Sequence, residues 1–123
     1  MLRLLLDEHI SPRVAKGLRR IQKSVVVHAL AEWEEGNFLG QDDEACLRAA
    51  ASQHLTLVTC DRRTIPPLLK IWAEAGMHHR GVIFVDEKTI SPADIGGLVK
   101  ALALLVKAER NSDWQDRIVF LRC

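Results

Sequence analysis

What this 123-residue chain lacks narrows its roles. No apolar run approaches the roughly 20 residues that a membrane-spanning helix needs. Residues 98–106 come nearest, and Lys100 and Lys107 break that stretch up. The three cysteines, Cys46, Cys60 and Cys123, are odd in number and have no C-x-x-C spacing. That argues against a disulfide framework or a zinc site and makes a reducing cytoplasm the simplest home. Seventeen basic residues against sixteen acidic ones leave a net charge of +1, so no global field draws a polyanion. Any nucleic-acid contact must come from a local patch. There is no internal repeat, low-complexity tract or linker, which predicts one domain over residues 1–123. The opening reads as a strand rather than a signal peptide, since only Arg3 precedes a very short apolar run and acids follow at once.

What is present is a recurring pattern. Leu2-Arg3-Leu4-Leu5-Leu6 runs straight into Asp7-Glu8, Leu55-Thr56-Leu57-Val58-Thr59-Cys60 into Asp61, and Gly81-Val82-Ile83-Phe84-Val85 into Asp86-Glu87. Short, nearly continuous apolar runs suit strands covered on both faces, as in a parallel sheet under helices. Such sheets bind ligands beyond the carboxyl ends of their strands, which is where these acids would gather.

Helical signals alternate with the strands. Ser11-Pro12 caps and opens a helix to about Gln22, with Val14, Leu18 and Ile21 as its apolar stripe. Ser24–His28 reads as a second strand, and residues 29–41 as a loop with at most one helical turn. Asp42-Asp43-Glu44 heads an alanine-rich helix to about Gln53, with acids where they complement the helix dipole. Pro66-Pro67 starts a helix ending near Gly76, and Ser91-Pro92-Ala93-Asp94 predicts one over about 92–109. Residues 117–121 make a final strand. This β-α-β-α-β-α-β-α-β order predicts an α/β fold, a three-layer α/β/α sandwich around a mostly parallel sheet of about five strands.

Carboxylates forced together repel one another, so a converged cluster needs protons or a cation to neutralise it. Hard oxygen donors suit Mg²⁺ or Mn²⁺, which would generate hydroxide from water and neutralise a phosphodiester. Acids after strands and at helix starts also serve as turn formers and caps. Asp42 and Asp43 are most open to that plainer role, and Asp7 and Asp61 least, because each terminates a buried strand.

The residues then bring a family into view. Leu5-Leu6-Asp7-Glu8-His9-Ile10-Ser11-Pro12 resembles the opening of small PIN-like proteins related to toxin ribonucleases. Gln41-Asp42-Asp43-Glu44 looks like their second acidic motif, and Leu57-Val58-Thr59-Cys60-Asp61 is similar to their third. Arg80–Val85, Ile95-Gly96-Gly97-Leu98 and Arg117–Leu121 extend the likeness to the end of the chain. The resemblance implies a ribonuclease using Mg²⁺ or Mn²⁺, with Asp7, Asp42 or Glu44, and Asp61 as catalytic metal ligands and Glu8 as a further metal ligand. It also implies an RNA substrate and a small antitoxin protein encoded next to the toxin, and it leaves homodimerisation open. Two positions depart from the family pattern: His9 stands where Asn is usual, and Arg63 where a further Asp is common.

His9, Arg62 and Arg63 flank the acids and are candidate substrate contacts. The basic face of the first helix (Arg13, Lys16, Arg20, Lys23) reads first as a solvated face, although it could meet RNA phosphates. Trp33 and Phe38 could stack on a base, but a loop aromatic tucked into the core is the plainer expectation. The apolar helix 98–106 reads as core rather than as a dimer surface. Two other functions compete with the nuclease. A phosphoacceptor receiver domain shares the alternation, but it needs a hydroxyl residue ending the fourth strand and a lysine ending the fifth, where this chain has Asp86 and Arg122. A binding-only relative would keep the fold and lose the chemistry.

Overall fold

The computed structural model describes residues 2–109 and 111–122, so Cys123 lies outside the described residues. The elements are β1 (Arg3–Leu6), α1 (Pro12–Ile21), β2 (Val26–Ala29), α2 (Asp43–Ser52), β3 (Thr56–Thr59), α3 (Ile65–Glu74), β4 (Val82–Val85), α4 (Ile95–Glu109) and β5 (Ile118–Leu121). All strand pairings are parallel, in the order β2-β1-β3-β4-β5. The architecture is the expected α/β sandwich.

Side-chain alternation along the strands splits the interior into two layers. Leu4, Leu6, Val58, Ile83, Val85 and Leu121 pack against Val14 and Leu18 of α1 and Leu98, Leu102 and Val106 of α4. Leu5, Leu57, Val82 and Phe84 pack on the other face against Leu47 and Ala50 of α2 and Leu69 and Trp72 of α3. The near-continuous apolar strands follow from this, since both faces are covered. Helices α1 and α4 pack closely enough that a Cβ built on Gly17 would lie 2.7 Å from a Val99 methyl.

One connection has the opposite hand to the other three. The steps β2-α2-β3, β3-α3-β4 and β4-α4-β5 all move the same way across the sheet, yet α4 lies on the face opposite α2 and α3. The step β1-α1-β2 moves the other way with its helix on the opposite face, so it agrees in hand with the first two. By the right-handed rule for parallel crossovers, β4-α4-β5 is the exception. Beyond α3, this leaves the β5 end of the second face without a helix, and Ile118 and Phe120 are exposed there.

Helix α4 also starts later than Ser91-Pro92 predicts. The Ser91 hydroxyl accepts from Ala93 N (3.2 Å) in a turn, and Asp94 takes over as cap, its Oδ1 accepting from Gly97 N at 2.9 Å. The 29–41 segment holds a single turn at Trp33–Gly36, in which Glu34 and Glu35 take left-handed backbone. Among the described residues, no helix is long and apolar enough to cross a membrane.

His79 links the fold to pH. It is 5% exposed and its Nδ1 accepts from Gly81 N at 3.0 Å. Burial holds its pKa below the ordinary 6.5, against the pull of Asp116. His28 is shifted the same way, by burial and then by Arg19. The folded state therefore binds these protons less readily than the unfolded chain, and stability falls as pH drops below 6.5. The urea midpoint is expected to decrease between about pH 7.5 and about pH 5.5. His79→Gln, which keeps an acceptor but does not titrate, should flatten part of that decrease, and an unaltered profile would remove His79 as its cause.

Candidate functional site

Each acid of the site is delivered by the end of an element. Asp7 follows β1 and extends the ladder by one bond, its N–H reaching Val58 O at 2.9 Å. It is 8% exposed, with Oδ1 accepting from Glu8 N at 2.7 Å. The buried Thr59 hydroxyl donates to Asp7 Oδ2 at 2.7 Å and accepts from Asp61 N at 3.0 Å, so one hydroxyl ties the Asp7 carboxylate to the Asp61 backbone. Asp61 turns the chain into α3, its Oδ1 accepting from Arg63 N (2.8 Å) and Thr64 N (3.0 Å). Asp43, half-buried in the first turn of α2, brings its carboxyl within hydrogen-bonding reach of Asp61.

The two acids of this pair are displaced in opposite directions. Burial, then the charge and hydrogen bond of Asp61, then Asp7 and Glu8, raise the Asp43 pKa. Burial also pushes Asp61 upward, but the N–H groups of Thr64 and Arg63, together with the Asp43 hydrogen bond, bring it below its ordinary value. Asp43 is thus the readier of the two to take up a proton. The negative field reaches further. Cys46 is pushed up to about 11 by burial and then Asp7, and Cys60 to about 11 by burial, Glu87 and Asp7. Neither thiol has thiolate character to offer.

Of the three consecutive acids on α2, the structure turns a different one inward from those the motif pointed to. Asp42 is the N-cap, its Oδ1 accepting from Ala45 N at 2.8 Å. Glu44 lies on the exposed side, paired with Arg48 at 2.7 Å one turn on. With the cap fixed at 42, the helical phase directs residue 43 toward Asp61. Thr59 is the residue that motif reading passed over, because it looks like one more β-branched strand position. Asp86 serves its own turn and pairs with Arg122, its oxygens meeting Lys88 N at 3.1 Å and Arg122 Nε at 3.6 Å.

The flanking candidates diverge. His9 and Arg63 line a crevice of about 340 Å³ with Asp61, Thr64 and Glu87, and Glu8 lies 4.0 Å from His9. Arg62 points away, its guanidinium 5.1 Å from the Phe120 ring centre. Trp33 and Phe38 stack on each other at 5.0 Å, and Trp33 is buried. The family model described as PIN like domain matches residues 2–79, which is β1 through α3 and includes Asp7, Asp43, Thr59 and Asp61. The chain belongs to the PIN-like domain family. No curated protein and no solved structure matches it. A PIN-like domain has a nuclease-type fold, which sets the chain among hydrolases at the coarse level. In this PIN-like domain the remaining β4, α4 and β5 lie beyond the matched span and complete the sheet.

The site chemistry suits a hard divalent cation in one respect and limits it in another. The neighbouring charges that raise Asp43 mark a place where positive charge is favoured, and Asp43 and Asp61 offer carboxylate oxygens. Among the described residues, however, no group of three His, Cys, Asp or Glu is arranged to hold a metal. The fit is therefore to an ion such as Mg²⁺ that takes one or two carboxylates and keeps much of its water.

Proposed function

We propose that this PIN-like domain is a ribonuclease that hydrolyses RNA phosphodiester bonds with Mg²⁺ or Mn²⁺. The supporting observation is the gathering of Asp43 and Asp61 beside Asp7 at one edge of the sheet, where the neighbouring charges disfavour ionised Asp43 and a cation would relieve them. Asp43 and Asp61 would hold the ion, which supplies a nucleophilic hydroxide and neutralises phosphate charge when bound. Asp7, fixed through both oxygens by Thr59 and Glu8 N, is positioned to orient water with its remaining lone pairs. Arg63 offers its guanidinium to a phosphate in the crevice. His9, in the same crevice, can carry a proton at a ring nitrogen. Purified protein should cleave single-stranded RNA with Mg²⁺ or Mn²⁺ and not with excess EDTA. Millimolar cation should also raise the thermal midpoint, since it binds the folded state. Neither response would end this reading.

A protein partner is favoured by a separate feature. Arg13, Lys16, Arg20, Lys100 and Lys107 line a groove of about 690 Å³ between α1 and α4, without a carboxylate among its lining residues. Ile21 and Leu104, each 61% exposed, give it an apolar floor. Such a groove suits an acidic amphipathic segment, as a small antitoxin could provide, and a toxin–antitoxin role follows from that reading.

A further inference from the structure

We infer that Phe120 and Arg62 form a nucleobase platform that binds a nucleotide flanking the scissile bond of single-stranded RNA. The inference rests on the ribonuclease reading for the identity of the ligand, but not for the platform itself. The odd hand of β4-α4-β5 sends α4 to the far face, so the sheet beyond α3 stays open. There Arg62, Pro66, Leu69, Lys70, Ala73, Phe84, Ile118 and Phe120 enclose a hollow of about 530 Å³. That volume is within the range of about 300–1,000 Å³ typical of small-ligand pockets.

The lining is that of a nucleotide site. Phe120, 45% exposed, stacks on Phe84 at 5.6 Å, which steadies its ring. Arg62 lies over the Phe120 ring at 5.1 Å, adding a cationic plane. Lys70 is the second cation of the hollow, and no acid lines it. Neither Arg62 nor Lys70 makes an ion pair with a described residue. An aromatic face with unpaired cations is complementary to a base and its phosphate, and sequence-tolerant stacking is how single strands are commonly held.

The hollow is tied to the acids through the sheet. Thr59, Phe84 and Phe120 occupy one cross-strand row, and Thr59 holds Asp7 and Asp61. Two strand spacings of about 4.8 Å put Phe120 about 10 Å along the row from Thr59. Arg62 directly follows Asp61 in the chain, so the platform and the acid pair share one turn.

The test uses a short fluorescent single-stranded RNA. Its equilibrium binding is measured by anisotropy in the Asp61→Asn background, and kcat and KM in the parent background. Phe120→Ala should weaken binding about tenfold or more and raise KM in step, with a much smaller effect on kcat, while Phe120→Trp should retain or improve binding. Unaltered binding in Phe120→Ala would overturn the platform and leave the nuclease reading standing if Asp61→Asn is still inactive. Phe120-dependent binding by a parent that cleaves nothing would keep the platform and reject the nuclease. A shift of Phe120→Ala from dimer to monomer on size-exclusion chromatography would reassign the face to a contact between copies of this chain and overturn the proposal.

Discussion

Asp61→Asn is expected to lower RNA cleavage about a thousandfold or more, which corresponds to roughly 4 kcal/mol of lost transition-state stabilisation. The amide removes the charge that would bind a cation but keeps the shape, so Arg63 N and Thr64 N still find an acceptor and α3 still starts where it does. Asp43→Asn should cost a comparable factor in activity but raise stability. The Asp43 pKa is raised because burial and the neighbouring acids penalise its charged form. Its contribution therefore favours the fold at low pH and is lost as pH rises through the raised value. An uncharged side chain there should raise the cation-free thermal midpoint at neutral pH while removing activity, as is common where a site is strained for function. Cation affinity in the parent should also rise with pH across that titration, because the ion must displace the proton.

The neighbours of Asp43 decide whether this picture is right. Asp42→Asn retains an equally good helix cap and Glu44→Gln gives up only an exposed pair, so both should keep near-parental cleavage and stability. Measuring kcat at saturating Mn²⁺ alongside thermal midpoints separates the cases. If Glu44→Gln is as damaging as Asp43→Asn, the inward acid has been misassigned, and the charge arrangement described above is not the reactive one.

How far these acids can be placed from sequence has a physical pattern. Asp7 and Asp61 were legible because each ends a buried apolar run, and a parallel sheet leaves such residues at one edge. The choice within Asp42-Asp43-Glu44 was not legible, because three consecutive acids offer three helix phases and only the cap selects one. Taking Asp42 as N-cap points Asp43 inward, whereas starting the helix one residue later would have favoured Glu44. The same competition explains α4, where Ser91-Pro92 and Asp94 are both good starts and the hydrogen bond from Gly97 N decides for Asp94. The open β5 face could not be read from the sequence at all. Its cause is the side of the sheet to which α4 crosses, and a hydrophobic pattern is silent on that. From sequence Phe120 is one more strand residue, while the loop aromatics Trp33 and Phe38 pack against each other.

Thr59→Val should damage stability and chemistry together, because one buried hydroxyl holds two acids. Valine has nearly the shape of threonine, so little cavity is created. What is lost is the donor to Asp7 Oδ2 at 2.7 Å and the acceptor for Asp61 N at 3.0 Å. Thr59 is fully buried and Asp7 almost so, which limits how far water can replace either bond. Leaving a buried polar group without its partner costs about 1–3 kcal/mol, more for a charged one, so a loss of roughly 2–4 kcal/mol is expected from urea unfolding. Cleavage should fall by about 10- to 100-fold, the usual effect of removing a group that orients metal-binding residues. Thr59→Ser separates the two roles. It keeps the hydroxyl and removes one methyl, so it should sacrifice about 1 kcal/mol of stability and recover most of the activity lost in the valine variant. Equal activities in the serine and valine variants would mean that the hydroxyl does not hold Asp7 and Asp61 in their working positions, and that the edge of the sheet is organised by the backbone alone.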